Sequence, residues 1–410
     1  MKSTIPAPMP ALDTVPDAAL DSTPRLLDLD ALHSRLEQLT DRRKARGKRY
    51  ALPMLLLLVI LAKLAGEDQP AGIADWVANR GAELRAALGL SWKRMPHEST
   101  LRRLFEWVVS PEELDQEFGQ YLRSQPGVGR SVLISIDGKT VRGTIRWGET
   151  RGEHLLAAYL PDEGVVLMQV AAGDKDNEIN AAPLLLRSID LSGKVVMGDA
   201  IHTQRALSVQ ILAAKAEYLW YVKENQPTLR EDIVTLFEAD RQTVLGGVVE
   251  SDFKTFRTVE KSHGRIESRE ITVSSELKGY SDWPGLEQVF RLERRRVDYR
   301  DGKRVGKQET EVVYGLTSLS RKEASPERLL SLTRSYWGIE SGLHGRRDVT
   351  FREDRTRLTR GKAGRVMASI NNLLISLLRL SGHTNLAAAR REWDANLTLA
   401  LGRSPASSLT

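Results

Sequence analysis

The amino-acid sequence predicts a mixed α/β protein in which a helical N-terminal domain precedes the sheet and a β-rich insertion interrupts it. Residues 26–128 carry apolar side chains at helical spacing, whereas residues 129–242 begin with short β-branched runs and continue as alternating helices and strands. Residues 243–320 lose the helical pattern, which returns over 321–393. This order predicts a sheet with antiparallel and parallel strands, covered by helices.

The composition excludes several classes of protein. The chain has 410 residues, which is enough for two or three domains, and its 41% apolar and 28% charged residues are ordinary for a globular protein. It has no cysteine, which excludes a disulfide framework, a thiolate nucleophile, an iron–sulfur cluster and a thiolate zinc site. The formal net charge is only +6, so the clustering of positive charge is more informative than the total.

The ends of the chain and its most apolar run bear on localisation. Residues 1–25 hold five prolines without apolar periodicity, which predicts a disordered leader, and residues 394–410 are interpreted as a tail. The apolar run 51–62 is much shorter than the roughly 20 residues of a membrane span, so we interpret it as a buried core helix. Without a secretory signal, the sequence predicts a bacterial-type cytoplasmic protein.

Local patterns place the individual elements. Leu29, Leu32 and Leu36 share one helix face, and residues 72–88 and 99–109 are typical of two further helices. In the first part of the core, strands are predicted at 132–136, 154–160, 165–172, 194–197 and 218–222, with helices at 179–189 and 203–216. The insertion has strand-like segments at 255–260, 267–274, 288–298 and 309–316, and helices follow at 326–339 and 365–380, with a shorter one ending at Trp393.

Three acids stand where regular elements would hold them rigidly. Asp137 follows the buried run VLISI, Asp199 follows a second predicted strand, and Glu340 lies in a predicted helix. A carboxylate at the end of a buried strand is costly unless a cation pairs with it. Two such aspartates and a glutamate can hold two Mg²⁺ or Mn²⁺ ions about 4 Å apart for cleavage of a phosphodiester. For each acid alone, a turn residue or a surface charge is an equally simple interpretation.

Five motifs, taken together, resemble one family. They are IDGKTVRG at 136–143, KDNEI at 175–179, GDAIHTQ at 198–204, VKENQ at 222–226 and WGIE at 337–340. In this order they resemble the motifs of the H-repeat-associated (ISAs-type) transposases, a branch of the DDE transposases of bacterial insertion sequences. The resemblance spans roughly residues 30–393 and implies a ribonuclease H-like core. It also implies that Asp137, Asp199 and Glu340 are the catalytic, metal-binding triad.

The sequence departs from the family pattern at several positions. Asp176 replaces a serine in the second motif. After Glu340, Ser341, Gly345 and Arg347 replace an asparagine, a tryptophan and a leucine, whereas the Leu-His pair and the later Asp-Val, Phe and Glu-Asp are kept. Because the three acids themselves are kept, we expect these changes to affect the handling of DNA ends more than metal binding.

Basic and aromatic side chains are the candidates for DNA contact. Eight basic residues against three acids lie in 346–365, six basic residues lie in 42–49, and 294–296 is a run of three arginines. The candidate DNA-binding residues are Lys139, Arg142, His202, Lys223, Tyr336, Trp337, Arg346, Arg347, Arg42, Arg43, Lys44, Arg102 and Arg103.

Each of these candidates has a structural alternative. Lys139 and Arg142 could pair with carboxylates, His202 could be a buried histidine without contact to DNA, and Tyr336 and Trp337 could be core aromatics rather than a surface for base stacking. Glu178 could be a fourth acid near the metals, although the charge of a helix N-terminus is the favoured interpretation.

The sequence therefore predicts a transposase with two Mg²⁺ or Mn²⁺ ions that cleaves and joins DNA, works as a homodimer on transposon ends and target, and resides at the bacterial nucleoid. One alternative is a DNA-binding relative that no longer transposes. Another is a ribonuclease H-like nuclease that cuts without joining. In the transposase interpretation, we expect the helical N-terminal domain to bind DNA. Arg102 and Arg103 would lie at the start of a helix that reads a DNA groove.

Overall fold

The computed structural model describes residues 28–173, 177–238, 252–262, 264–300 and 303–396. The predicted leader at 1–25 and most of the predicted tail at 394–410 lie outside the described residues, as do Lys175 and Asp176. The described chain forms two compact units, one of residues 28–220 with 333–396 and the other of residues 221–332.

The N-terminal region of the larger unit is helical, as predicted. Its helices are α1 (Leu29–Leu36), α2 (Leu52–Leu64), α3 (Pro70–Asn79), α4 (Gly81–Leu88), α5 (Glu98–Arg103) and α6 (Pro111–Arg123), and a π-helical turn (Leu104–Val108) continues α5. Helix α2 is buried from Leu55 onward, which confirms the predicted core helix. The single helix predicted at 72–88 is wrong: it breaks at Arg80, whose guanidinium is held by Asp394 at 2.9 Å. Within the described residues, no helix is long and apolar enough to cross a membrane.

The sheet of the larger unit is mixed. Its strands are β1 (Leu133–Val141), β2 (Glu153–Leu160), β3 (Val165–Gly173), β4 (Val195–Gly198) and β5 (Glu217–Val222), arranged in the order β3-β2-β1-β4-β5. Strands β1, β2 and β3 are antiparallel neighbours, whereas β4 and β5 run parallel to β1. This order and these directions are those of a ribonuclease H-like sheet, which confirms the expected fold class.

Helices cover both faces of this sheet. The core helices are α7 (Glu178–Arg187), α8 (Arg205–Ala213), α11 (Gly345–Val349), α12 (Ala363–Leu380) and α13 (Leu386–Ala395). Paired residues of antiparallel strands point to the same face, so Asp137, Ala157 and Gln169 share the face on which α12 packs. Gly138 lies on the opposite face, where the side chain of Glu178 from α7 approaches it. The two faces of β1 therefore meet different helices.

The smaller unit contains the predicted β-rich insertion. Helix α9 (Pro227–Glu238) precedes strands β6 (Lys254–Ser262), β7 (Arg265–Ser274), β8 (Gln288–Arg300) and β9 (Lys303–Thr317), and α10 (Pro326–Tyr336) follows. The four strands pair with their neighbours in an antiparallel meander. Strands β8 and β9 are longer than predicted, because their charged ends pair with each other across the sheet instead of ending in loops.

Candidate active site

Asp137 and Asp199 lie side by side where the parallel pairing of β1 with β4 ends, although β1 itself continues to Val141. β1 and β4 pair in register up to Ile136 opposite Gly198, and each aspartate is the next residue of its chain segment. Neighbouring strands are about 4.8 Å apart, and partners in a parallel ladder point to the same face, so both aspartates occupy one edge and one face of the sheet. Both residues are partly exposed at this edge.

Glu340 begins a turn whose last residue, His344, contacts Asp137. This turn, Glu340–His344, is π-helical, and at its end His344 Nε2 lies 3.0 Å from Asp137 Oδ2. Side chains four residues apart in a helical segment are neighbours, so Glu340 lies next to the residue that contacts Asp137. Its side chain is exposed, whereas His344 is buried. π-Helical turns are rare and often occur at functional sites.

Two glycines allow this turn to approach the sheet. A Cβ at Gly342 would lie 2.5 Å from Tyr159 Oη, and a Cβ at Gly338 would lie 2.8 Å from Pro161 Cβ. Any larger residue at either position would push the segment away from β2. The local sequence around Glu340 is therefore adapted to close packing against the strand that neighbours β1.

The acids that follow Glu340 bind the residues that follow Asp137. Lys139 Nζ is 2.7 Å from Asp348 Oδ2 and 3.9 Å from Asp354 Oδ2, and its side chain is only 10% exposed. The backbone N–H of Arg142 donates to Asp354 Oδ1 at 2.9 Å. Burial raises the pKa of Asp354, and Lys139 opposes that increase. These contacts attach the chain after Glu340 to β1.

A buried ion pair lies beside this attachment. Arg347 is fully buried, and its Nε donates to both carboxylate oxygens of Glu353, at 2.9 and 3.0 Å. Burial alone would raise the pKa of Glu353, but Arg347 and a hydrogen bond from Asn371 lower it. The oxygens of Asp348, Glu353 and Asp354 lie within 4.8 Å of one another. Because Lys139 already pairs with Asp348 and Arg347 with Glu353, we do not assign a metal to this acidic group.

A second buried acid lies beneath the strand ends. Glu178 is 3% exposed; its Oε1 is 2.7 Å from His154 Nε2, and its Oε2 is 3.2 Å from His202 Nε2. Burial alone would raise the pKa of Glu178, but the two histidines lower it to about 2. Glu178 is therefore ionised and paired inside the protein, not exposed at the start of α7.

The structure corrects several predicted DNA contacts. His202 and Arg347 are buried against Glu178 and Glu353, and Tyr336 is only 4% exposed, so these three side chains have no surface to offer DNA. For Lys139, the pairing with carboxylates is the interpretation that the structure favours. Arg347 stands where the family pattern has leucine, which is the signal that could have predicted its burial.

The other predicted contacts remain at the surface. The side chain of Arg142 is 77% exposed, and Trp337 is 47% exposed with its ring 5.7 Å from that of Tyr336. Arg346 is partly buried. Lys223 is exposed and belongs to the smaller unit, directly after β5.

A basic groove adjoins α5. It has a volume of about 350 Å³ and is lined by Arg102, Arg355, Arg357 and Arg360, with Glu106 as the acid in its lining. Arg355 and Arg360 are exposed and form no ion pair within the part of the chain that the structure describes. We call this surface the basic groove.

The other basic runs are neutralised to different degrees. In 42–49, Arg42 pairs with Glu113 at 2.6 Å and Arg43 with Asp41 at 2.8 Å, whereas Lys44 is exposed. All three arginines of 294–296 contact carboxylates, so this run carries little unbalanced charge. Near the groove, Arg102 pairs with Glu98 at 2.5 Å, and Arg103 Nε donates to the Ser99 carbonyl at 3.0 Å.

Sequence reasoning missed two histidines of this region. His344 follows Glu340 by four residues, a helical spacing that places both on one face. His154 was not singled out, although a histidine at the beginning of a buried strand requires a polar partner. That partner, Glu178, is 24 residues away along the chain.

The chain matches two known protein families. Residues 129–377 match the family described as Transposase DDE domain, and residues 33–122 match the family described as DDE_Tnp_1-associated. Among solved structures, the chain is similar to a piggyBac transposase in a synaptic complex with hairpin DNA. That similarity has a TM-score of 0.43 and 13% identity and covers 93% of this chain and 78% of that chain.

Three relatives illustrate the sequence similarity. The protein named "Putative transposase YncI" of Escherichia coli O157:H7 is 29% identical over 86% of this chain and 88% of its own. The "H repeat-associated putative transposase YhhI" of Escherichia coli K12 is 26% identical over 86% and 91%. An "Uncharacterized protein in dhlA 3'region" of Xanthobacter autotrophicus is 32% identical over 62% and 85%. The chain therefore belongs to the DDE transposase family, in the branch of the H-repeat-associated transposases.

Proposed function

We propose that this protein binds the ends of an insertion sequence and catalyses metal-dependent cleavage and joining of DNA strands. One observation carries the proposal: Asp137 and Asp199 directly follow the last residues that pair between the parallel strands β1 and β4, and the turn that begins with Glu340 contacts Asp137 through His344. This arrangement supports a site formed by three carboxylates from distant parts of the sequence.

The three acids fit a pair of hard divalent cations. Carboxylate oxygens at a partly exposed edge are the ligands that Mg²⁺ and Mn²⁺ prefer. The nearby cations Lys139 and Arg347 pair with Asp348 and Glu353. Asp137 contacts the imidazole of His344 instead of either of these cations. Asp137, Asp199 and Glu340 would hold the ions. When bound, the ions supply activation of the attacking oxygen and stabilisation of the leaving oxygen.

Neighbouring residues hold the proposed metal ligands in place. His344 fixes the orientation of the Asp137 carboxylate, and the backbone N–H of Ala200 does the same for Asp199 by donating to Oδ1 at 2.7 Å. Lys139 holds the segment after Glu340 against β1. A site whose ligands are held in this way reaches its working geometry with little rearrangement.

The basic groove is the best supported surface for the DNA backbone. Arg355 and Arg360, exposed and without an ion pair among the residues that the structure describes, match the charge of phosphates. Arg357, which lines the groove, also holds the loop that contains Ile145, because its Nη2 donates to the Ile145 carbonyl at 3.0 Å. That loop carries Trp147, which is 97% exposed and could stack on an unpaired base. Synapsis of two ends would require a homodimer on DNA at the nucleoid.

Cleavage of the flanking DNA tests the proposal. Asp137→Asn and Asp199→Asn should abolish cleavage in Mg²⁺ while leaving the affinity for the ends within about twofold of wild type, because metal binding and backbone contact use different residues. Asp75→Asn, the same change at an exposed residue of α3, is the matched control and should cleave normally. Normal cleavage by Asp137→Asn would refute the triad.

The products separate the alternatives. Cut ends without joined products in the presence of target DNA would indicate a nuclease that does not join. Binding of the ends without any cleavage by the wild-type protein would indicate a relative that no longer transposes.

A further inference from the structure

The buried acid Glu178 joins the elements that carry the two aspartates of the triad. It binds His154 of β2, the neighbour of β1, and it lies 3.2 Å from His202, three residues after Asp199. His154 also contacts β1 directly, with Nδ1 2.8 Å from Thr140 Oγ1. One carboxylate thus links the strand of Asp137 to the turn that follows Asp199.

Two glycines make room for this network. A Cβ at Gly138 would lie 2.4 Å from Glu178 Oε1 and 2.6 Å from His154 Nε2, and a Cβ at Gly198 would lie 2.8 Å from His202 Cδ2. Each glycine is the direct neighbour of a triad aspartate in the chain. The network therefore lies immediately behind the peptide groups that hold Asp137 and Asp199, on the opposite face of β1 from His344.

A helix N-terminus alone does not account for this arrangement. An acid in the first turn of α7 would stabilise the helix equally well at the surface, where its charge stays hydrated. Burial of an ionised carboxylate is costly unless donors surround it, and here the chain supplies two buried histidines for that purpose. Because this burial is costly, the contacts of Glu178 indicate a role beyond the stabilisation of α7.

We propose that Glu178 is a positioning residue which, by pairing with His154 and His202, fixes the separation of the backbone segments that carry Asp137 and Asp199. The inference rests on the proposed function, since it concerns the same metal site, but it assigns a role to residues that contact neither the metal nor DNA. Loss of Glu178 would let the two aspartates drift apart while the fold persists.

Metal affinity provides a test that is independent of turnover. In the full chain, Glu178→Ala should weaken Mn²⁺ binding, measured by isothermal titration calorimetry, by about 10–100-fold, as expected for residues that orient metal ligands. The rate of single-turnover cleavage should fall and partly recover with excess Mn²⁺, and DNA affinity without metal should stay unchanged. Glu178→Gln keeps an acceptor for His154 and should restore most of the Mn²⁺ affinity.

The control is Asp115→Ala, which removes another buried carboxyl of the same unit, on α6. Both alanine variants should lower the melting temperature, but only Glu178→Ala should weaken Mn²⁺ binding. If Glu178→Ala does not fold, Glu178→Asp, which shortens the side chain by one methylene, replaces it and should show the same loss.

Equal Mn²⁺ affinity of the Glu178 variants and wild type would overturn the inference and leave the proposed function standing. If instead the wild-type protein binds no Mn²⁺ and cleaves no DNA, the proposed function itself fails, and this inference fails with it.

Discussion

Neighbouring groups hold two of the three proposed metal ligands, Asp137 and Asp199. Asp137 is approached from one face of the sheet by His344 at 3.0 Å, and the peptide next to it is backed from the other face by Glu178 and His154. Asp199 accepts a hydrogen bond from the backbone of Ala200. Such outer contacts orient metal ligands and are part of the site in energetic terms.

Gly138 should not tolerate a side chain. In Gly138→Ala, the new Cβ would lie 2.4 Å from Glu178 Oε1, so the buried network must shift, and we expect a loss of about 1–3 kcal/mol in the free energy of unfolding. Urea denaturation measures this loss. Gly47→Ala, whose Cβ would come no closer than 3.9 Å to another residue, is the control and should be nearly neutral. Equal stability of the two variants would contradict the packing described for β1.

Asp115 should make stability depend on pH. Burial raises its pKa to about 7, above the ordinary value of 3.8, so the folded state holds its proton more tightly than the unfolded state. Its contribution to stability is therefore complete below pH 4 and is lost as the pH rises toward 7, on the order of 2–4 kcal/mol. Asp115→Asn should become more stable than wild type above pH 7, as measured by urea denaturation between pH 4 and 8. A pH-independent difference would contradict the assigned burial.

At the scale of elements, β1 and the chain after Glu340 form one assembly. Strand β1 supplies Asp137 and Lys139 from the same face, and the segment from Glu340 to Asp354 supplies His344 and Asp348 in return. The strand end and the π-helical turn are thus joined at two points. The DGK motif and the later Asp-Val and Glu-Asp positions are therefore connected by direct contacts in the fold.

Removal of Lys139 should loosen this assembly. Lys139→Met leaves Asp348 and Asp354 facing each other without their cation, and we expect a loss of about 1–2 kcal/mol in the free energy of unfolding, since both acids are partly solvated. The loss should be larger at pH 8 than at pH 4, because burial raises the pKa of Asp354 and its protonation at the lower pH weakens the repulsion. Lys48→Met, at an exposed lysine 3.9 Å from Asp41, is the control. No difference between the two variants would contradict the role of Lys139.

At the scale of the whole molecule, the sequence predicted the elements better than their partners. Local patterns placed Asp199 correctly after β4, but β1 does not end before Asp137 as predicted: it continues to Val141, because residues 137–141 pair with β2. The family resemblance joined these two acids and Glu340 in one triad. For His202 the sequence left burial and DNA contact both open, because its partner Glu178 is brought to it by tertiary packing. Lys139 likewise looked like a DNA contact because its partner Asp348 is 209 residues away. Local sequence records charge, but only the fold shows which charges are already paired.

The distribution of unpaired charge predicts which arginines bind DNA. Replacing Arg355 and Arg360 in the basic groove by glutamine should weaken DNA binding and reduce the slope of log K against log salt by about 1 per residue. Arg294→Gln with Arg296→Gln is the control, because both arginines are already bound by carboxylates. Fluorescence anisotropy at several salt concentrations gives both slopes. The same slope change in both double variants would show that pairing does not select the DNA contacts.

The central claim is that Asp137, Asp199 and Glu340 hold metal at one site. Loading the protein with Fe²⁺ and adding ascorbate and peroxide cuts the polypeptide close to a bound ion, and mass spectrometry maps the cuts. We predict cuts around all three residues, suppressed by excess Mg²⁺ and absent in Asp137→Asn. Cuts confined to the segment of Asp348, Glu353 and Asp354, or a pattern unchanged in Asp137→Asn, would contradict it.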